Sequence, residues 1–211
     1  MAKRLRISSE DLKYLIAFFV IVTVTVSALA YVELTPPYTD QFFSMWIVGS
    51  GGLTEDYFPN NNPNLIPGEQ VNWTLGVYNH MSSLEYVVVQ VKLLNATETP
   101  PNEQTGVPSP IPEIFEFARV LVSNETWTIP FRWAILNAVS ANGAVLISGL
   151  SINGTMITGN FAQAAGGLDF RLVFELWFYD QTASNLAFSW STPTSTYSVW
   201  TQLWFNATAS S

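Results

Sequence analysis

Residues 168–179 read Leu168-Asp169-Phe170-Arg171-Leu172-Val173-Phe174-Glu175-Leu176-Trp177-Phe178-Tyr179. Leu168, Phe170, Leu172, Phe174, Leu176 and Phe178 recur at every second position, the period of a strand, so all six share one face. The opposite face still carries Val173, Trp177 and Tyr179 beside Arg171 and Glu175. Such a strand is expected either at the centre of a sheet or beneath a cover supplied from outside the domain. Residues 71–79 repeat the alternation, with Val71, Trp73, Leu75 and Val77 facing one way and Asn72, Thr74 and Tyr78 the other. In residues 197–206, Val199, Leu203 and Phe205 alternate with Trp200, Gln202, Trp204 and Asn206.

The same period predicts strands over 42–48, 86–94, 119–122, 127–134, 144–151 and 155–158, with turn residues between them. Asn153-Gly154 joins two of these runs and predicts a type I′ hairpin, because both central positions of that turn need positive φ. Many short alternating runs with regular punctuation describe a β-sandwich. Residues 97–113 (TETPPNEQTGVPSPIPE) are rich in proline and polar groups and are expected as an exposed insertion, and 59–68 as a second loop. No amphipathic helix and no internal repeat stand out.

Ahead of these runs, residues 14–32 (YLIAFFVIVTVTVSALAYV) form nineteen residues without a charge, about the length that crosses a hydrocarbon core as a helix. Lys3, Arg4, Arg6 and Lys13 precede it and acids follow, which by the positive-inside rule keeps the N-terminus in the cytoplasm. The expected organisation is a cytoplasmic arm over 1–13, a transmembrane helix over 14–32, and an extracytoplasmic β-sandwich over 33–211. Ala28-Leu29-Ala30 also has the small-x-small form of a signal-peptide cleavage site, which is the competing reading of this segment.

Composition narrows the function classes. The 211 residues are 48% apolar and 14% aromatic, yet only 11% are charged and none is cysteine. Disulfide frameworks and thiolate metal sites are therefore excluded. So low a charge content suggests that lipid, glycan or protein neighbours cover part of the surface. From Glu33 onward fourteen acids face four basic residues, a balance of −10. A surface of that sign does not bind nucleic acid.

Several motifs carry a family resemblance. An aromatic strand, Thr39-Asp40-Gln41-Phe42-Phe43-Ser44-Met45-Trp46-Ile47-Val48, ends in Gly49-Ser50-Gly51-Gly52. Tyr57-Phe58-Pro59, Pro67-Gly68-Glu69 and Leu75-Gly76-Val77-Tyr78-Asn79-His80 follow. Later come Asn124-Glu125-Thr126-Trp127, residues 171–178, and Leu203-Trp204-Phe205-Asn206. Over most of 39–207 this resembles an uncharacterised archaeal family of membrane-anchored envelope proteins with an immunoglobulin-like extracytoplasmic domain. The chain departs from that family in having Gln41 and Met81 where acids are usual, and in its long proline insertion. The resemblance implies archaeal origin and an all-β fold: an immunoglobulin-like antiparallel β-sandwich preceded by one N-terminal transmembrane helix. It transfers no catalytic residue.

Chemistry-bearing residues are sparse. His80 is the one histidine, and with no nucleophile motif beside it a strand-end structural role is expected. Glu113 and Glu116 read as solvated loop acids, although paired carboxylates can hydrolyse glycosides. Asp40, Glu55, Asp56 and Glu69 could supply oxygen ligands across loops, but their spacing matches no calcium loop. Gly49–Gly52 reads as a turn, since no lysine or helix follows as a phosphate loop requires. No cofactor, no metal and no catalytic residue is expected. Five Asn-X-Thr sequons, at Asn72, Asn95, Asn124, Asn153 and Asn206, are expected glycosylation sites.

Taken together, these features lead to the expectation of a non-catalytic accessory or structural subunit of an archaeal membrane-bound enzyme complex, of the respiratory or ammonia monooxygenase type. Its partners would be the membrane and polytopic membrane subunits, with homo-oligomers formed through the complex. The alternative is a glycosylated cell-surface filament or surface-layer subunit, and a third reading is a sugar- or solute-binding receptor.

Overall fold

Twenty residues from Leu12 to Tyr31 have a mean hydropathy of 2.2, so a helix there is apolar on every side. In the computed structural model, which describes residues 9–34, 41–192 and 195–210, they lie within one helix, α1 (Ser9–Leu34). At 1.5 Å per residue the apolar stretch is about 30 Å long, the thickness of a bilayer core. Thr25 donates its hydroxyl to the Ile21 carbonyl (2.9 Å) one turn back, so it adds no unpaired polar group to the helix. Lys13 pairs with Glu10 (3.3 Å) one turn away at the polar end. Most of the arm expected over 1–13 lies outside the described residues, as does Asp40.

The chain divides into two units after Asp40. The second is a β-sandwich. Strands β1 (Phe42–Val48), β3 (Val71–His80), β6 (Thr126–Ala141), β7 (Ala144–Ile152) and β8 (Thr155–Ala165) form one sheet in the order β1-β3-β6-β7-β8. The other sheet has seven strands, with the path β11-β12-β9-β4-β5. Its members are β4 (Glu85–Leu94), β5 (Phe115–Leu121), β9 (Phe170–Asp180), β11 (Ser189–Ser191) and β12 (Thr196–Ala207). The short strands β2 (Asn64–Leu65) and β10 (Asn185–Ala187) add to β12 and β9 respectively. All pairings are antiparallel except β2 with β12. The chain passes between the sheets after β1, β2, β3, β5 and β8, and the fold is the expected immunoglobulin-like sandwich.

Alternation decides which side chains meet inside. Val71, Trp73, Leu75 and Val77 of β3 and Phe131, Trp133 and Ile135 of β6 face Val87–Leu93 of β4 and Phe170–Phe178 of β9. Trp73 is the aromatic hub. Its ring lies 5.2 Å from Trp133, 5.9 Å from Phe131, 5.7 Å from Phe58 and 6.3 Å from Phe174, and its Nε1 donates to the Tyr57 carbonyl.

Both faces of β9 are buried, as its sequence demanded, and it is central, between β4 and β12. The cover on its second face, however, comes from within the domain. The proline-rich segment 97–113, expected as an exposed insertion, carries many exposed residues but is seated on the sheet through buried Pro101 and Ser109. It folds back on itself at Asn102 and Val107, which exchange backbone hydrogen bonds of 2.8 and 3.2 Å. Its tip, Gly106 (φ 66°), sits against Ser189 and Thr196, where a Cβ would have no room. Phe188 then closes over Trp177 (5.6 Å).

Most strand boundaries agree with the sequence pattern, with β1 identical. Strand β5 begins four residues earlier than expected, at Phe115 rather than Arg119. Strands β6 and β8 each run seven residues further, to Ala141 and Ala165. Asn153 (φ 48°) and Gly154 (φ 85°) make the expected tight turn, with Ile152 facing Thr155. A second Asn-Gly pair, Asn142 (φ 53°) and Gly143 (φ 76°), turns β6 into β7 in the same way.

Candidate functional site: the two outer faces of the sandwich

The outer face of the second sheet is built around a buried charge pair. Lys92 on β4 and Glu175 on β9 stand on adjacent strands of this face, and their Nζ and Oε2 atoms are 2.8 Å apart, both out of solvent. The proline-rich segment 97–113, a strap across this face, completes their shell: Ser109 N–H donates to Glu175 Oε1 (2.8 Å), and Lys92 donates to the Ser109 carbonyl (2.8 Å). Trp177 Nε1 donates to Glu175 Oε2 (3.1 Å). Four residues from Glu175 toward the start of β9, Arg171 donates to the Glu98 carbonyl (2.5 Å) and to Gln202 (3.1 Å), with its guanidinium 4.7 Å above the Trp204 ring. Desolvation lowers the Arg171 pKa from its ordinary value, and the Glu98 carboxylate opposes that shift. These groups pin the strap; an ion pair buried beneath it and hydrogen-bonded to it is structural chemistry.

The outer face of the first sheet is open and aromatic. Trp46 on β1 lies directly over Gly76 of β3, where any Cβ would penetrate its ring. Beyond it Phe42 approaches His80 (4.8 Å) and Tyr78 (6.1 Å), and Tyr78 stacks on His80 (5.6 Å). Phe42 and Trp46 are 39% and 38% exposed. At the far end of the face Gln70, Arg132 and Asn153 line an open concavity of about 560 Å³.

His80 therefore closes β3, as expected, against Asn124 (2.7 Å) and Tyr78. Its neighbour Asn79 was not singled out by the sequence, yet it is fully buried. Asn79 Nδ2 donates to the carbonyls of Ser83, Leu121 and Val122, and its Oδ1 accepts from Met81 N–H, tying two turns together. Glu113 and Glu116 are both exposed. Glu69 accepts from Ile66 N–H (3.4 Å), and no three His, Asp or Glu side chains converge among the described residues. Gly49–Gly52 is a turn, with Gly52 N–H donating to Gly49 (3.0 Å).

The five sequon asparagines are scattered. Asn72 is in β3, Asn95 follows β4, Asn124 occupies the β5–β6 turn, Asn153 the β7–β8 turn, and Asn206 is in β12. Asn72, Asn124 and Asn153 are exposed, Asn95 and Asn206 half-buried.

No protein-family model matches the chain, and no curated protein does. Among solved structures it is similar to a β-glucosidase from Listeria innocua in complex with gluconolactone, at 10% identity and a TM-score of 0.33 over 78% of this chain. A β-glucosidase involved in saponin metabolism from intestinal bacteria gives 12% identity and a TM-score of 0.35 over 80%. The chain spans 16% of the length of either enzyme, and no activity transfers from them.

Proposed function

We propose that this chain is a membrane-anchored, non-catalytic accessory subunit of a membrane-bound enzyme complex, with the sandwich on the extracytoplasmic side and the N-terminus in the cytoplasm. The observation that carries the reading is α1, a helix apolar on all sides and long enough to span a bilayer. Its charge asymmetry sets the orientation, the archaeal origin rests on the sequence resemblance, and a respiratory or ammonia monooxygenase complex is the kind among whose polytopic subunits such a helix would pack. The two-faced β9 no longer argues for an outside partner, since the strap covers it. The partner surface is instead an exposed apolar patch at the β4–β5 edge. Tyr86 and Val120 face each other there, with Leu84 and Val122 beyond them, all between 42% and 59% exposed.

Two experiments test this. Val22→Arg places a charge near the middle of α1, at about 2.5–3.5 kcal/mol on insertion scales, and should move the chain from the membrane to the soluble fraction. Mild-detergent extraction of source membranes should recover the chain in stoichiometric complex with polytopic subunits, and Tyr86→Glu with Val120→Glu should release them. Recovery as a lone monomer would refute the subunit reading.

One observation favours the filament or surface-layer alternative. The two edge strands of the first sheet, β1 (FFSMWIV) and β8 (TMITGNFAQAA), carry neither charge nor proline, the usual guards against edge-to-edge pairing. Pairing of β8 with β1 of the next copy would be head-to-tail and would not close. Polymers of this chain alone in the same extract would select it.

A further inference from the structure

The five sequons differ in what already holds their carboxamides. Asn153 bridges the backbone of β6, accepting from Arg132 N–H (2.8 Å) and donating through Nδ2 to the Pro130 carbonyl (2.8 Å). Asn206 accepts from Asp169 N–H (2.9 Å) and donates to Asn64 Oδ1 (2.8 Å), securing the parallel β2–β12 pair. Asn95 donates to the Gln163 carbonyl (2.9 Å), while its Oδ1 takes Thr97 N–H, the Thr97 hydroxyl and Glu98 N–H. In all three the nitrogen that would carry a sugar already spends one of its two hydrogens on the fold, and transfer would have to pull the carboxamide out of those contacts.

Asn124 is arranged in the opposite sense. It stands at positive φ (62°) in an exposed turn, and its Oδ1 receives both the Tyr78 hydroxyl (3.0 Å) and His80 Nδ1 (2.7 Å). With His80 in its Nδ1–H tautomer, two donors on one oxygen fix the carboxamide plane and use both lone pairs, leaving Nδ2 without a protein partner. The Phe42, Tyr78 and His80 rings lie beside it. Asn72, on the same sheet's outer face, is exposed with its side chain unbonded, and it lines a cleft of about 370 Å³ with Ser50, Tyr57 and Gln70.

We propose that Asn124 and Asn72 are the N-glycosylated residues of this chain, and that the sugar on Asn124 packs against the Phe42–Tyr78–His80 rings. The other three sequons are structural. The donor class is a lipid-phosphate-linked saccharide, and a separate membrane transferase performs the step. Asn Nδ2 bonds to the anomeric carbon as that carbon's bond to the phosphate oxygen breaks; the phosphate leaves with the electron pair, and Nδ2 gives up one proton. Sugar C–H faces suit aromatic rings, so the glycan also covers apolar area that this weakly charged surface exposes.

The proposal rests on the extracytoplasmic placement of the sandwich, and the two are separable. Protease treatment of sealed vesicles reports the side on which the domain lies, and peptide mass spectrometry of the full chain from its source membranes reports site occupancy. The expected result is glycopeptides at Asn124 and Asn72 and unmodified Asn95, Asn153 and Asn206. An external domain with bare Asn124 and Asn72, or with sugar on the three committed sites, overturns the assignment while leaving the topology intact. A domain on the cytoplasmic side overturns both. For the stacking contact, Phe42→Ala should leave Asn124 occupied but speed periodate oxidation of its sugar about threefold; an unchanged rate removes the contact.

Discussion

Glu175→Gln should destabilise the sandwich by about 3–5 kcal/mol, although it keeps the size and shape of the side chain. Glu175 is wholly buried, and its carboxylate neutralises Lys92 at 2.8 Å. Glutamine removes that charge and leaves a buried ammonium whose remaining bond is to the Ser109 carbonyl. The amide must also place an oxygen toward both Ser109 N–H and Trp177 Nε1, where one of its two heavy atoms is now a donor. Thermal unfolding of the detergent-solubilised chain checks the size of the loss. The paired change Lys92→Met with Glu175→Leu should recover most of it, because a buried ion pair is replaced by apolar groups more cheaply than it is broken. Equal losses in single and double variants would show that the pair itself is not the source.

Trp73→Ala should cost about 3–5 kcal/mol, the range for a large aromatic removed from a packed core. Trp46→Ala, in the neighbouring strand, should cost roughly 1 kcal/mol or less, as a partly exposed side chain on a sheet surface does. The contrast follows from the pleat. Trp73 points inward among Phe58, Phe131, Trp133 and Phe174, whereas Trp46 lies on the outer face over Gly76. Chemical denaturation of both variants reads the difference directly. Similar losses would mean that the assignment of inner and outer faces is wrong.

What the sequence revealed of this fold follows from local periodicity. The alternation in Val71–Asn79 and Leu168–Tyr179 named the inward residues of β3 and β9, except Leu168, which stands before β9 and is 54% exposed, and Asn153-Gly154 named its turn. Asn142-Gly143 carried the same signal, but it follows a stretch, Leu136–Ala141, whose alternation is broken by the bulge near Asn137. Strand β8 looked short because Thr158-Gly159-Asn160 breaks the pattern at another irregularity. Strands β2, β10 and β11 are two or three residues long, too short for any period to register.

The strap was missed for a different reason. Prolines and polar residues describe a segment without regular hydrogen bonds, and say nothing of where it rests. A clue lay in Lys92 and Glu175, opposite charges in the otherwise apolar runs Val-Lys-Leu-Leu and Phe-Glu-Leu-Trp, which must find each other and a further partner if buried. The contrast between sequons had no such clue, because the partners that tell them apart are remote in sequence. Tyr78 is 46 residues from Asn124, and Gln163 is 68 from Asn95.

The parallel seam between β2 and β12 sets a clock for assembly. It joins Asn64 to Asn206 across 142 residues, and β12 is also the strand that pairs with one side of β9. The β6-β7-β8 meander, closed by two-residue turns, can zip as soon as it is made, because its loops cost little entropy to close. Until β12 is in place, though, β9, a strand buried on both faces in the finished fold, has one long flank unpaired. Nascent chains halted before Thr196 should therefore be the aggregation-prone species, and a chaperone is needed in that interval more than at any other.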